Sequence, residues 1–446
     1  MKINTIILAA GQGTRMLSEL PKVLHPVNNK PLILYSIQAA GAAGSNQPVV
    51  IIGNGAEAVK KTVGDGARFV LQAERLGTAH AVMVAESELK GQGDLVLVIA
   101  GDMPLLTEGT LKQLVQRQGS NKGPLTMVTV HSKNPRGFGR VLRGMDGAIR
   151  AIVEEAQASA DELKIDELNV GAYCFNSDWL WKTLKKVQLS PKGEYYLTDL
   201  VGIAVTEGSR VDSIQLEDEE EALGVNNRIH LAEAERIIRR RVNEAYMLSG
   251  VSMIDPNQVY IEEGVTIGKD TLLHPGTRLS RGTTIGEGCE IGPNTIIDAS
   301  TIGSYCHLLA SVIEGAVVGD NVGMGPFCHL RKGAQLGNGV HMGNFGEVKD
   351  STLAAGVKMG HFSYIGNATI GENVNIGAGT ITCNFDGVHK HPTVIGADAF
   401  IGSDTMLVAP LTIGKGSKTG AGSVVTHDVA DGEVVAGVPA RKMKAK

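Results

Sequence analysis

The chain has 446 residues, 43% of them hydrophobic and only 4% aromatic, with a formal net charge of −5; that length exceeds one hydrophobic core, so at least two domains are expected. Mild acidity leaves no basic stripe for nucleic acid, no apolar run reaches the roughly 18 residues of a membrane span, and the N-terminus lacks the layout of a cleavable signal peptide. Cys174, Cys289, Cys306, Cys328 and Cys383 are odd in number and form no CxxC pair, which argues against a disulfide framework or zinc ribbon and for a reducing cytoplasm.

From Met1 to about Asn226, continuous apolar runs alternate with helical stretches. Ile3 to Ala10, Val49 to Gly53, Leu95 to Ala100 and Leu125 to Val130 predict strands buried on both faces, as in an open α/β sheet. Such sheets bind ligands beyond the carboxyl ends of their strands. The first run leads into Leu8-Ala9-Ala10-Gly11-Gln12-Gly13-Thr14-Arg15-Met16, followed by Pro21-Lys22. Two glycines admit a close backbone approach, their N–H groups suit phosphate oxygens, and Arg15 and Lys22 bring compensating charge. A GxGxxG fingerprint would need Gly where Met16 stands, and the GK[ST] of a P-loop is missing. The pattern therefore reads as a nucleotide site of another kind or as an ordinary tight turn. The acidic run Glu217 to Glu221 reads as solvated surface.

Asn227 to Gly250, rich in Ala, Glu, Arg and Leu and closed by a Gly, predicts a connecting helix. Its Arg239-Arg240-Arg241 run reads as a solvated face compensated by Glu233, Glu235 and Glu244. The expected division is 1–226, a linker helix 227–250, and 251–446.

Beyond the helix an aliphatic residue recurs every six positions, as at Ile267, Leu273, Leu279, Ile285, Ile291 and Ile297, and again from Val318 to Val348 and from Ile395 to Val425. A helix repeats near 3.6 residues and a strand near 2. The six-residue period predicts a parallel β-helix in which each hexad gives one short strand and one corner, with many stacked coils sharing a core. One-residue slips in the beat read as small insertions at corners. The break between Thr382 and Val394 reads as a loop thrown out of the solenoid, a place where binding residues gather. Its His389 and His391 form an HxH pair with no third ligand in view, and read as exposed loop histidines. His361, by contrast, stands where most hexads carry a small or polar residue, and an imidazole titrating near neutrality suits a general base.

These motifs resemble the sugar nucleotidyltransferases, which join a nucleoside triphosphate to a sugar 1-phosphate. The resemblance rests on LAAGQGTRM with PK, Gln72-Ala73-Glu74 with Leu76-Gly77-Thr78-Ala79-His80, Gly101-Asp102, Gly137-Phe138-Gly139-Arg140, Ile152-Val153-Glu154, Asn169, Gly193-Glu194-Tyr195-Tyr196 and Gly224-Val225-Asn226-Asn227. Because GHFSYIG and the hexad domain match too, essentially the entire chain is similar to the bacterial bifunctional N-acetylglucosamine-1-phosphate uridylyltransferase and glucosamine-1-phosphate N-acetyltransferase family.

The resemblance implies an α/β nucleotidyltransferase domain with a Rossmann-like mixed sheet, then a left-handed parallel β-helix of hexapeptide repeats that forms a homotrimer. It implies Leu8, Ala9, Ala10, Gly11, Gln72, Gly77 and Thr78 at the nucleotide, Arg15 and Lys22 at the phosphates, Asp102 and Asn226 on Mg²⁺, and Gly139, Glu154 and Asn169 at the sugar. In the solenoid it implies His361 as base, Glu347 as its assisting carboxylate, and Arg331, Lys349, Tyr364 and Asn375 as substrate contacts. Ala378, Asn384, Phe385, Ser403 and Ala421 would meet acetyl-CoA, the acetyl donor. The chain departs from the family at Ala100, Val170 and Phe385, and at Gly437, where an Arg near the coenzyme is usual; Arg441 follows four residues later. The implied activity is synthesis of UDP-N-acetylglucosamine from UTP, acetyl-CoA and glucosamine 1-phosphate. A single-function nucleotidyltransferase with a non-catalytic assembly solenoid, and a scaffold with a decayed site, are the competing readings.

Overall fold

The computed structural model describes residues 1–45 and 47–443. The chain divides into two compact units, Met1–Ile238 and Arg239–Lys446, with the boundary inside the helix Arg228–Leu248.

In the first unit the described residues form a nine-stranded mixed sheet. Its main path runs Asp212–Gln215, Leu125–His131, Glu167–Asn176, Leu95–Ala100, Ile3–Leu8, Val49–Ile52 and Arg68–Leu71. The four apolar runs read from the sequence are four of these strands. Val49, Val50, Ile51, Val96, Leu97 and Val98 are fully buried, because both faces of the sheet are covered; full burial of one such side chain is worth roughly 1.5–3 kcal/mol. Glu167–Asn176 is antiparallel to both neighbours, and the hairpin Arg140–Arg143 with Ile149–Val153 branches from it.

The described residues of the second unit stack short strands into three ladders of twelve, ten and nine. Each beat residue falls into one of three columns. Leu273 stacks on Ile291, Leu308, Met324, Met342, Met359, Ile376 and Ile401 in one ladder, and Ile285 on Ile302, Val318, Leu336, Leu353, Ile370, Ile395 and Ile413 in another. These side chains form one continuous core, which no single coil could bury. Gly after the aliphatic residue has a steric cause: a Cβ on Gly343 would lie 1.8 Å from Gly360 O in the next coil.

The slips in the beat are shortened corners, not insertions. Where the spacing falls to five residues, as from Ile297 to Ile302 and from Leu308 to Ile313, one residue is lost from the corner, while the left-handed turn residue is kept: Ala299 at 44° and Ala310 at 43°, as Asn294 at 55° and Tyr305 at 59° in six-residue corners. A left-handed residue reverses the chain in less length than an extended one, at a local cost.

Two further expectations are corrected. Glu221 is buried: its Oε2 accepts from Thr107 N at 2.9 Å and Thr110 Oγ1 at 2.7 Å, so it closes the start of the helix Glu108–Ser120. Among the cations of the connecting helix, Arg239 stacks on the Tyr260 ring at 4.8 Å, with Arg278 on the same ring. Glu233 pairs with Arg136 at 2.8 Å and Glu235 accepts from Asn28 N, while Glu244 pairs with Arg240 as expected.

Candidate active sites

The carboxyl edge of the sheet holds a cleft of about 700 Å³. Parallel pairing aligns Leu8 with Ile51 on one side and Ala100 on the other, so adjacent strands release their chains at one edge. Leu8, Ala9, Ala10, Gly11, Lys22, Gln72, Gly77, Thr78 and Asp102 all line the cleft. Gly77 has φ +96°, and a Cβ there would stand 2.6 Å from Tyr195 O, so only Gly fits this turn. Gln72 is buried, donating from Nε2 to Gly77 O at 3.1 Å.

Charge concentrates at one end. The Lys22 ammonium is hydrogen-bonded to Asp102 Oδ2 and lies 3.2 Å from Asn226 Oδ1, which also accepts from Arg15 Nη2 at 3.1 Å. Val225 N donates to Asp102 O at 2.9 Å, fixing the segment that carries Asn226. Two oxygen donors thus converge on a cation, the ammonium of Lys22. Hard oxygen donors of this kind fit a divalent ion that keeps several waters. Among the described residues no cluster of three or more His, Cys, Asp or Glu could cage a metal, so the remaining ligands would come from water and substrate oxygens.

Gly139, Glu154 and Asn169 form a second group. Asn169 N donates to Gly139 O at 2.9 Å, Thr198 Oγ1 donates to Glu154 Oε1 at 2.8 Å, and a Cβ on Gly139 would lie 3.8 Å from Glu154 Oε2. Asn169 Nδ2 donates to the Tyr173 hydroxyl at 2.6 Å. Burial, then the nearby Glu154, holds the Asp199 carboxyl above its usual range. Sequence reasoning gave no role to Gln12, Arg75 or Tyr196, which also line the cleft. Arg75 Nη1 donates to Gln12 Oε1 at 2.8 Å.

In the solenoid, register gathers residues far apart in sequence. Met342, Met359, Ile376, Ile401 and Thr419 share one column, so the residues two positions on, Asn344, His361, Ala378, Ser403 and Ala421, form a single vertical edge. Asp404 N bonds to Ala378 O and Gly422 N to Ser403 O along it. Asn375 occupies the adjacent outward column. The next ladder sets Glu347 beside Tyr364, and Arg331 beside Lys349. Glu347 is ion-paired with Arg331 at 3.0 Å; among the described residues no hydrogen bond joins it to His361, whose side chain is exposed.

The loop between Cys383 and Thr393 leaves the stack as expected. It is held by the buried Asn384, which donates to Asn367 Oδ1 at 2.7 Å, and by Asp386, which binds His391 at 2.6 Å. Backbone N–H donors, then the imidazole of His391, hold Asp386 down at about 2. His389 is exposed; His391 is the partner of Asp386, half-buried and not free in solvent. Phe385 is exposed and bridges to Lys390. Lys390, to which sequence reasoning gave no role, delivers a third cation: first Lys390 and then Arg331 press the Lys349 ammonium below the usual lysine range. Its signal was only its place in the ejected loop.

Residues 4–225 match the Nucleotidyl transferase family, residues 258–299 the Hexapeptide repeat of succinyl-transferase, and residues 392–427 the Bacterial transferase hexapeptide (six repeats). The chain is 43% identical to the Bifunctional protein GlmU of Shouchella clausii, over 95% of this chain and 94% of that one. It is 46% identical to that of Exiguobacterium sibiricum, over 95% of each, and 44% identical to that of Heliobacterium modesticaldum, over 100% and 97%. The chain belongs to the bifunctional GlmU family. It is a bifunctional transferase of UDP-N-acetylglucosamine synthesis, with uridylyltransferase and acetyltransferase activities. The solenoid is the left-handed β-helix of hexapeptide-repeat transferases. Divalent metal, acetyl-CoA and small-molecule substrates go with this family, as does oligomerisation through the hexapeptide domain. Among the described residues no helix is long and apolar enough to cross a membrane.

Proposed function

We propose that the two activities divide between residues 1–226, which transfer uridylyl groups, and residues 251–446, which transfer acetyl groups, with 227–250 joining them. The observation that carries the first assignment is the convergence of Asp102 and Asn226 oxygens on the Lys22 cation in the cleft. An oxygen of N-acetylglucosamine 1-phosphate attacks the α-phosphorus of UTP and pyrophosphate leaves. Negative charge crowds every partner, so alignment and neutralisation dominate catalysis. Asp102 and Asn226 would hold Mg²⁺, which supplies further neutralisation of the phosphates. Lys22 and Arg15 carry the chain's own positive charge to the phosphate oxygens. Gln72, Gly77 and Thr78 hold the nucleotide with the backbone of Leu8 to Gly11, and Gly139, Glu154 and Asn169 hold the sugar.

For acetyl transfer, His361 takes the proton of the glucosamine amine as nitrogen attacks the thioester carbon; the C–S bond breaks, and the departing coenzyme A thiolate takes that proton back from His361 to leave as the thiol. Arg331, Lys349 and Lys390 hold the sugar phosphate, whose charge of about −1.5 to −2 justifies more than one cation. Glu347 assists His361 once the phosphate draws Arg331 away from it, and Tyr364 and Asn375 contact the sugar. Ala378, Ser403 and Ala421 make a floor of small residues for acetyl-CoA, flanked by Asn384 and Phe385. The protein works in the cytoplasm as a homotrimer built on the solenoid; free thiols at all five cysteines fit that compartment.

The test is a paired assay with Mg²⁺: thiol release from acetyl-CoA plus glucosamine 1-phosphate, and pyrophosphate release from UTP plus N-acetylglucosamine 1-phosphate. Both signals are expected. Pyrophosphate alone would reduce the solenoid to assembly, and silence in both would leave a scaffold.

A further inference from the structure

We propose that Arg140 is a positioning residue for the sugar 1-phosphate in uridylyl transfer, fixing the mouth between Gly139 and Glu154. The proposal rests on the reading of Gly139, Glu154 and Asn169 as the sugar contacts. In the hairpin Arg140–Arg143 with Ile149–Val153, backbone pairing ends at Arg140 opposite Val153. Residues 139 and 154 come next on the two strands, and among the described residues no backbone hydrogen bond joins residues 138 or 139 to 154 or 155. The missing rung is supplied by a side chain. Arg140 Nη1 donates to Phe138 O and, at 3.0 Å, to Glu155 Oε2. One guanidinium therefore ties the residue before Gly139 to the residue after Glu154.

Its surroundings make this an expensive arrangement for packing alone. Arg140 is 2% exposed, and among the described residues its Nε has no hydrogen-bond partner. Its ion-pair partner, Glu155, is 40% exposed. Burying a charge with so little compensation costs several kcal/mol, and an apolar side chain of similar volume would fill the space more cheaply. What the guanidinium adds is a fixed separation. The other side of the mouth is already held, since Glu154 accepts from Thr198 and Gly139 O accepts from Asn169 N. Arg140 completes the frame, so that the two sugar-contacting positions keep one spacing while the substrate is absent.

The full-length protein tests this in steady-state uridylyl transfer, each substrate varied in turn. Arg140→Met should raise the KM for N-acetylglucosamine 1-phosphate about tenfold, as misplacement of binding groups does, with the KM for UTP and the acetyl transfer rate unchanged. Arg140→Lys should recover most of the loss. If Arg140→Met fails to fold, Glu155→Gln at the exposed end of the pair should shift the same KM in the same direction by less. Parallel rises in both KM values, no change in either, or no recovery by Lys would overturn the proposal. Glu154→Gln separates the two levels of the argument. If it leaves the sugar-phosphate KM unchanged, the sugar subsite itself is misassigned and the proposal goes with it. If it raises that KM while Arg140→Met does not, only the positioning role is lost.

Discussion

The ammonium of Lys22 is hydrogen-bonded to the carboxylate of Asp102, with Asn226 Oδ1 3.2 Å from the same nitrogen. A cation already occupies the place where two oxygen donors converge, so a divalent ion held as proposed by Asp102 and Asn226 would compete with Lys22 for Asp102. Asp102→Asn keeps the shape and removes the charge. Uridylyl transfer should fall by about 10²- to 10³-fold, the scale of losing one preorganised electrostatic contact, and the Mg²⁺ concentration for half-maximal rate should rise. Pyrophosphate release across a Mg²⁺ titration checks this, with acetyl transfer as the internal control.

His361 stands exposed at the edge formed with Ala378, Ser403 and Ala421, and among the described residues no side-chain hydrogen bond holds it. His361→Ala should lower acetyl transfer by about 10²- to 10⁴-fold, the usual span for a general base, and spare uridylyl transfer. Thiol and pyrophosphate release on the same preparation decide it; equal loss of both would sink the two-site assignment.

Lys349 titrates below the ordinary lysine value of 10.5 because Lys390, and then Arg331, repel its proton. Affinity for the sugar phosphate should therefore decline with rising pH earlier than an ordinary lysine would dictate. Since the folded value lies below the unfolded one, the unfolded chain binds this proton more tightly. The group costs the folded state stability below its folded value, and that cost is relieved as pH rises through it. Lys390→Ala removes the largest cause. It should weaken binding of glucosamine 1-phosphate at neutral pH, shift the decline to higher pH, and slightly raise thermal stability, measurable by calorimetric titration and melting at several pH values.

Glu221 reaches into the start of the helix Glu108–Ser120. Glu221→Ala strands Thr107 N and the Thr110 hydroxyl, and should destabilise the first unit by about 1–3 kcal/mol. Both tryptophans, Trp179 and Trp181, lie in that unit, so their fluorescence during denaturant unfolding reports on it selectively. An unchanged midpoint would show that Glu221 is not needed there.

The solenoid was legible because its signal is local and repeated: every coil restates the same spacing, and the spacing alone assigns each aliphatic residue to a column. The Gly-rich turn at the cleft was legible because glycines and cations sit within a few residues of one strand. Long-range pairings carry no such signal. Glu221 reads as surface charge until the chain folds it against Thr110, and the run around it gives no hint of that partner. Lys390 becomes a neighbour of Lys349 only when its loop folds back over the stack. The direction of the slips was also hidden, since a five-residue spacing reads equally as lost or displaced chain until the register, with Ile285 still on Ile302 and Ile297 on Ile313, shows a corner one residue shorter.

The loop between Cys383 and Thr393 leaves the solenoid and rejoins it without disturbing a rung, because Ile370 still stacks on Ile395 across it. Each coil advances by one inter-strand spacing, about 4.8 Å, so the edge from Asn344 to Ala421 spans about 19 Å on a fixed grid. The length of the loop and the spacing of the edge beside it are thereby decoupled. The overhang can change in length and chemistry while the floor beneath it keeps its measure.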